Sequence, residues 1–318
     1  MRIAAAVIIL ASSALSSHAQ TYPTKPIRIV IGTPAGGGSD LMARVVGQQL
    51  TQAWGQQIIV DPKPGAGGNI AAEHVARSPA DGYTLYVPYG THTVNPSLYA
   101  KVGYDPIKDF APIALLATQY NALVVHPSVP ARSVKELVAI ARSRPGKMNY
   151  ASSGNGSPTH LGMELFKIAA KIDLVHVPYK GAAPSRTDLL GGHVDTMFDV
   201  LRTALPFHQS GRARILAVAS DRRSSLAPNI PTMQESGFEA IIVLTWHALL
   251  APAATPQAIV EQLGNETRRG LLAAAQKEKL AKDGIEAVAS TPAELDAFMR
   301  ADMAKWKNVV QTARIRAD

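Results

Sequence analysis

Two glycine-rich turns stand far apart in the chain, each placed where a short apolar run gives way to a helical pattern. The first is Pro34-Ala35-Gly36-Gly37-Gly38-Ser39-Asp40, after Ile27–Ile31. The second is Ser152-Ser153-Gly154-Asn155-Gly156-Ser157-Pro158-Thr159-His160, after Met148–Ala151. A helix N-terminus carries unpaired N–H groups and a partial positive charge, and glycine lets a ligand come close to the backbone. Two such ends facing each other would hold a small anion, such as an acid with two carboxylates, without a charged side chain or a metal. The chemistry implied is capture of a small organic acid rather than its conversion.

Other readings of these turns are weaker. The first lacks the Lys-Ser/Thr that closes a nucleotide phosphate loop, and Gly36-x-Gly38-x-x-Leu41 lacks the third glycine of a dinucleotide fingerprint. No H-E-x-x-H spacing and no G-x-S-x-G elbow occurs. An enzyme is not expected, and no cofactor or metal is implied. Within the first turn, Ala35, Gly36 and Gly37 offer amides, Ser39 is either the N-cap or a direct ligand, and Asp40 is expected to bind loop amides or waters. In the second, Ser157 caps the helix ahead of Pro158. Ser153, Asn155, Gly156 and Thr159 are then candidate contacts, with His160 packed and uncharged.

The elements that must position these turns alternate along the chain. Ile27–Ile31, Gln57–Val60 and Thr84–Val87 read as strands, separated by helices through Leu41–Leu50 and from Asn69 onward. The rhythm restarts at Asn149–Ser152 and continues through Leu174–Val177, Val194–Phe198 and Ile215–Ala219. This implies parallel sheets covered by helices. Ligands of such sheets sit at the carboxyl ends of the strands. Thr91, after Thr84–Val87, and Asp199, after Val194–Phe198, are therefore further candidates; His92 would cap or pack. Lys180 and Arg186 read as solvated. Two longer apolar stretches, Ile113–Val125 with a polar break and Ile241–Leu250, look like crossings between two lobes. The expected division is residues 20–121 plus 242–318 for lobe 1 and 122–241 for lobe 2. The helical tail, Pro256–Ala274, Ala275–Asp283 and Pro292–Ala313, packs on lobe 1 or crosses to lobe 2.

Composition sets the outer bounds. The chain has 318 residues, no cysteine and a net charge of +8, so disulfides, thiolate catalysis and a lipid-anchored cysteine are excluded. The basic residues are scattered and form no nucleic-acid stripe. Arg2, the short apolar run Ile3–Leu15 and Ser17-His18-Ala19 read as a cleaved secretory signal spanning residues 1–19, too short to span a bilayer. The mature chain is then expected to begin at Gln20 in the periplasm.

Taken in order, several segments resemble one known family. They include Gly36-Gly37-Gly38-Ser39-Asp40, Pro64-Gly65-Ala66-Gly67-Gly68-Asn69, Ala80-Asp81-Gly82-Tyr83-Thr84-Leu85 and Asn95-Pro96-Ser97-Leu98-Tyr99. They continue with Tyr150–Gly154, His176-Val177-Pro178-Tyr179-Lys180-Gly181, Asp188–Gly192 and Leu250-Ala251-Pro252-Ala253. The chain resembles the Bug-type solute receptors of the tripartite tricarboxylate transporter system over essentially its whole mature length. The resemblance implies a two-lobed α/β periplasmic binding protein, a Venus flytrap of type II-like form whose cleft lies between lobes joined by two hinge strands. It implies a carboxylate ligand, such as a dicarboxylate, an amino acid or an aromatic acid, and a membrane permease partner of one large and one small subunit. A monomer is expected. The same fold could instead present its closed form to a membrane kinase as a sensor. The chain departs from the family where Gly32-Thr33 replaces Pro-aromatic, where Ala248 replaces Gly, and where Val200-Leu201-Arg202 follows Asp199. Arg202 would then grip a distal carboxylate in bidentate fashion.

Overall fold

The computed structural model describes residues 22–316; the signal-like segment lies outside them. In chain order the elements are β1 (Ile27–Ile31), α1 (Gly38–Trp54), β2 (Ile58–Pro62), α2 (Asn69–Ala76), β3 (Thr84–Val87) and α3 (Thr91–Leu98). The crossing strand β4 (Phe110–Val125) leads to α4 (Val134–Ser143), β5 (Asn149–Ser152), α5 (Pro158–Ala170), β6 (Val175–Pro178), α6 (Ala182–Leu190), β7 (Thr196–Val200), α7 (Leu201–Gln209) and β8 (Arg214–Val218). The chain returns through β9 (Leu244–Pro252) to α8 (Gln257–Leu272), α9 (Ala274–Lys282), β10 (Glu286–Ala287) and α10 (Pro292–Thr312).

The strand order is β2-β1-β3-β9-β4-β7-β5-β6, with β8 and β10 also pairing with β4. Strands β1, β2 and β3 are mutually parallel in lobe 1, and β5, β6 and β7 in lobe 2. Strand β4 belongs to both lobes. Its residues 110–120 pair antiparallel with β9, and its residues 121–125 pair with β7 and β8. The polar break in the apolar run is therefore a change of partner within one strand of 16 residues, not a gap between two. Asn121, at the change, is fully buried and donates its side-chain amide to the Val243 carbonyl at 3.1 Å. That bond ties the two crossing segments together where they pass between the lobes.

The inner strands of each sheet are buried on both faces, which is why they read as continuous apolar runs, whereas the edge strands β2 and β6 are only partly buried. In lobe 1, Met42, Val46 and Leu50 of α1 pack with Ile29 and Ile31 and with Val260 and Leu263 of α8. Burying each such side chain contributes about 1.5–3 kcal/mol. In lobe 2, Phe166 of α5 and Leu137 of α4 cover one face and Leu189 and Leu201 the other. The tail divides. Helices α8 and α9 pack on lobe 1, whereas α10 joins both lobes, its Trp306, Val309 and Val310 meeting Val94 and Leu98 of α3 and Leu161 of α5.

Candidate functional site

A cavity of about 630 Å³ opens between the lobes, with Gln119 of β4 and His247 of β9 among its lining residues. Lobe 1 contributes Gly36, Gly37, Gly38 and Asp40 of the first turn, together with Asp283 and Ile285; lobe 2 contributes Ala182, Ala183, Arg186, Val200, Arg202 and Thr203.

The first turn is shaped by its surroundings. A Cβ at Gly32 would come 2.8 Å from Gly68 Cα, so the strand end has no room for the Pro expected there from the family pattern. The N-cap of α1 is Gly37, and no side chain caps it. Ser39 is thus not the cap: it is buried one residue inside the helix, and its hydroxyl lies 3.3 Å from His247 Nδ1. Asp40 accepts from the Gly36 N–H at 3.1 Å and from Arg44 Nε at 2.9 Å. The Arg44 hydrogen bond is the main reason its carboxyl is held below the usual range. The amides of Gly37, Gly38 and Ser39 have no acceptor among the described residues. Ala35 is exposed beside them. Burial pushes the His247 imidazole down to about 4, against a weaker pull from the Pro88 carbonyl, so it is neutral at physiological pH.

The facing helix end is that of α6, not α5. Gly181, at φ +117°, is the N-cap, and its N–H donates to Ser153 O at 3.2 Å. Ala182 and Ala183 follow with amides that have no acceptor among the described residues. One turn on, Arg186 donates from Nε to Asp199 Oδ2 at 2.6 Å, and from Nη2 to Asp199 Oδ1 at 2.8 Å and to Thr203 Oγ1 at 3.1 Å. Arg186 is therefore not a solvated surface residue, and Asp199 is buried behind it with its charge already matched. Arg202 donates from Nη2 to Asp283 Oδ1 at 2.6 Å, across the cavity from lobe 2 to lobe 1. Three arginines and three aspartates thus pair one to one at this site: Arg44–Asp40, Arg186–Asp199 and Arg202–Asp283. With side-chain charges balanced, the N-termini of α1 and α6 are the positive features left over.

The second turn is organised differently. Its Ser153 N–H donates to Thr159 Oγ1 at 3.0 Å, Gly154 N–H to Ser152 Oγ at 3.2 Å and Gly156 N–H to His160 Nδ1 at 3.0 Å. Ser157 caps α5 by accepting from His160 N–H. Asn155 is exposed at the tip. The turn docks on lobe 1: a Cβ on Gly156 would fall 2.0 Å from Leu98 Cδ1, and a Cβ on Gly90 would lie 3.2 Å from Pro158 Cγ. Thr91 begins α3 and donates to Gly67 O at 2.7 Å, outside the cavity lining. His160 is packed, its ring 3.9 Å from that of His176, and burial, then His176 and Lys167, hold it down to about 3. His92 packs against Tyr104, with Nε2 3.1 Å from Pro106 O. Ser152 Oγ lies 2.6 Å from His176 Nε2, but Ser152 is fully buried and unavailable as a nucleophile.

Comparison with known proteins settles the family. The model of the tripartite tricarboxylate transporter family receptor matches residues 42–315. The chain belongs to that family. It is 33% identical over 306 residues to protein BugT of Bordetella pertussis, covering 96% of this chain and 94% of that one. Among solved structures, R. palustris Rpa4515 with adipate superposes with a TM-score of 0.84 at 35% identity, over 93% of this chain and 99% of that chain. MatC from Rhodopseudomonas palustris with bound malate gives a TM-score of 0.80 at 30% identity, over 91% and 100%. The receptor is a two-lobed α/β periplasmic binding protein of type II-like form, and its relatives are solute-binding proteins.

Of the residues singled out from sequence, Gly36, Gly37, Asp40 and Arg202 line the receptor's cavity, with Ser39 and Asp199 directly behind its walls. Ser153, Asn155, Gly156, Thr159 and Thr91 belong to other contacts. Sequence reading missed Ala182, Ala183, Arg186, Gln119, His247 and Asp283. A signal for the first two was present: Tyr179-Lys180-Gly181-Ala182 is a further strand–glycine–helix turn. Among the described residues no cluster of His, Asp and Glu is suited to a metal, and no helix is long and apolar enough to cross a membrane.

Proposed function

We propose that the receptor captures a small organic carboxylate in the periplasm and delivers it, as a monomer, to a membrane permease of one large and one small subunit. One carboxylate accepts hydrogen bonds from the amides of Gly37, Gly38 and Ser39, while the Ala182 and Ala183 amides reach the ligand from the other lobe. The ligand then bridges both lobes and favours the closed form, which is the form the permease recognises. The observation that carries this reading is the pair of helix N-termini facing one cavity whose side-chain charges cancel. Such a site attracts an anion through backbone dipoles and does not present a fixed counter-charge. The adipate and malate held by two relatives are in keeping with it. The role is binding, with no chemical step assigned to any residue.

The test is a thermal-shift and calorimetric panel on the chain from Gln20 onward, with aliphatic dicarboxylates, citrate-like acids, acidic amino acids and aromatic acids. At 100 times its dissociation constant a true ligand stabilises the fold by about 2.7 kcal/mol. A response confined to carboxylates is expected. Silence across all of them, from folded and ligand-free protein, sinks the reading.

A further inference from the structure

On lobe 2 the cavity has one cation whose hydrogen-bonding capacity is largely unused. Arg186 is committed to Asp199 and Thr203 through three hydrogen bonds, with a side chain 19% exposed. Arg44 makes a single hydrogen bond, to Asp40, but it stands on α1 itself, on the same lobe as the amides of Gly37, Gly38 and Ser39. Arg202 stands on the lobe opposite those amides: its side chain is 49% exposed, and its guanidinium makes a single hydrogen bond, from Nη2 to Asp283. An arginine has five donors in a planar fork, so the other edge of Arg202 is open to a second carboxylate. Its stem is also fixed in place. A Cβ on Gly284 would approach Arg202 Cβ to 2.9 Å, so the α9 C-terminus packs tightly on the base of the side chain and aims it.

The wall between the two helix ends and Arg202 is apolar. Leu41, Met42, Ala182, Ala183, Val200 and Ile285 contribute side chains without charge. A ligand matching this surface has an anionic group for the α1 amides, a hydrocarbon body and a second anionic group for Arg202. We propose that Arg202 binds the second carboxylate of an α,ω-dicarboxylate, in competition with Asp283, and so makes the receptor favour diacids over monoacids of equal length. This rests on the carboxylate reading above. A half-exposed ion pair such as Arg202–Asp283 contributes little by itself, so exchange of the aspartate for a ligand carboxylate is not opposed strongly. Because Asp283 belongs to lobe 1 and Arg202 to lobe 2, the exchange takes place where the lobes meet.

The experiment is calorimetric titration of the protein from Gln20 onward with the straight-chain diacids from succinate to suberate, each beside the monoacid of the same carbon number. Wild type, Arg202→Gln, Arg202→Lys and Asp283→Asn are compared after circular dichroism has shown each to be folded. In wild type the best diacid is expected to bind at least tenfold tighter than its monoacid. Arg202→Gln brings that ratio close to one. Arg202→Lys, which keeps the charge and loses the fork, gives an intermediate ratio. Asp283→Asn, by removing the competitor, raises diacid affinity severalfold. A ratio unchanged in Arg202→Gln overturns the assignment and leaves the carboxylate reading intact. Loss of diacid binding in Asp283→Asn overturns the competition. No binding of any acid by wild type overturns both.

Discussion

The two glycine turns share a grammar and differ in what becomes of their amides. At the first, α1 begins without a side-chain cap, and the N–H groups of Gly37, Gly38 and Ser39 are left without partners beside the cavity. At the second, Ser152, Thr159 and His160 take up the amides of Gly154, Ser153 and Gly156, and the turn is pressed onto α3 of the other lobe. A strand–glycine–helix turn supplies donors. Whether they serve a ligand or the fold is decided by the acceptors among the next few side chains. One turn opens on the cavity, and the other is a self-contained joint between the lobes.

Acid acts on both sides of that contrast, on the joint through His160 and on the first turn through His247. Burial holds His92 and His247 down to about 4 and His160 to about 3. In the unfolded chain each titrates near 6.5, so between about pH 6.5 and 4 the unfolded state binds more protons and stability falls as pH falls. Each fully shifted histidine contributes on the order of 1.4 kcal/mol per pH unit in that window, and the loss levels off below the folded values. The expected result is a fall of several kcal/mol between pH 6.5 and 4, read by urea unfolding at a series of pH values. Replacement of His160 by Gln should flatten the slope. An identical slope in that variant would show that His160 is not held neutral in the fold.

At fixed neutral pH, His160→Ala removes the acceptor of a buried amide and the ring stacked on His176. An unsatisfied buried donor costs about 1–3 kcal/mol, so a loss of roughly 2–3 kcal/mol in unfolding free energy is expected. Carboxylate affinity at 25 °C should change much less than stability. A variant that unfolds normally but no longer binds would move the second turn into the site and break the contrast.

Much of this could be read from the residues. The strands before both turns, the helices after them and the tail helices all follow from apolar period and capping residues, as with Ser157-Pro158 and with Thr291 and Glu294 of the α10 capping box. The crossing strand was legible only in pieces, because Gln119-Tyr120-Asn121 interrupts its apolar run. The interruption exists because Asn121 bonds to Val243, a partner 122 residues away. Pro96 inside α3 disguised that helix. The site was half legible for a related reason. Gly36, Gly37, Asp40 and Arg202 announce themselves by type, but α6 opens on Ala182-Ala183, whose side chains carry no chemistry. Ser39 and His247 meet only because β9 returns beneath α1, and no local pattern encodes that return.

The smallest effect tests the site side of the contrast, and adjacent glycines supply the control. A Cβ on Gly38 would stand 2.7 Å from His247 Nε2 and 3.1 Å from its Cε1, whereas the nearest atoms to a Cβ on Gly37 are 3.6 Å away. His247 is buried against this turn and cannot easily yield, so in Gly38→Ala the turn itself has to lift. The N–H groups of Gly37, Gly38 and Ser39 then lose their aim. About a tenfold loss of affinity for the tightest carboxylate is expected, equivalent to roughly 1.4 kcal/mol. Overall stability should barely change, since alanine is the better helix former at that position. Gly37→Ala has a negative φ of −84° and meets only ordinary van der Waals contacts, and it keeps its amide, so its affinity should stay within about twofold of wild type, far less than the tenfold that 1.4 kcal/mol represents. Equal binding by wild type and both variants would mean that the ligand does not rest on these amides. An equal loss in both would mean that the turn tolerates no side chain for reasons of flexibility rather than aim. Only the split between the two neighbours isolates the direction of the amides as the property that binds.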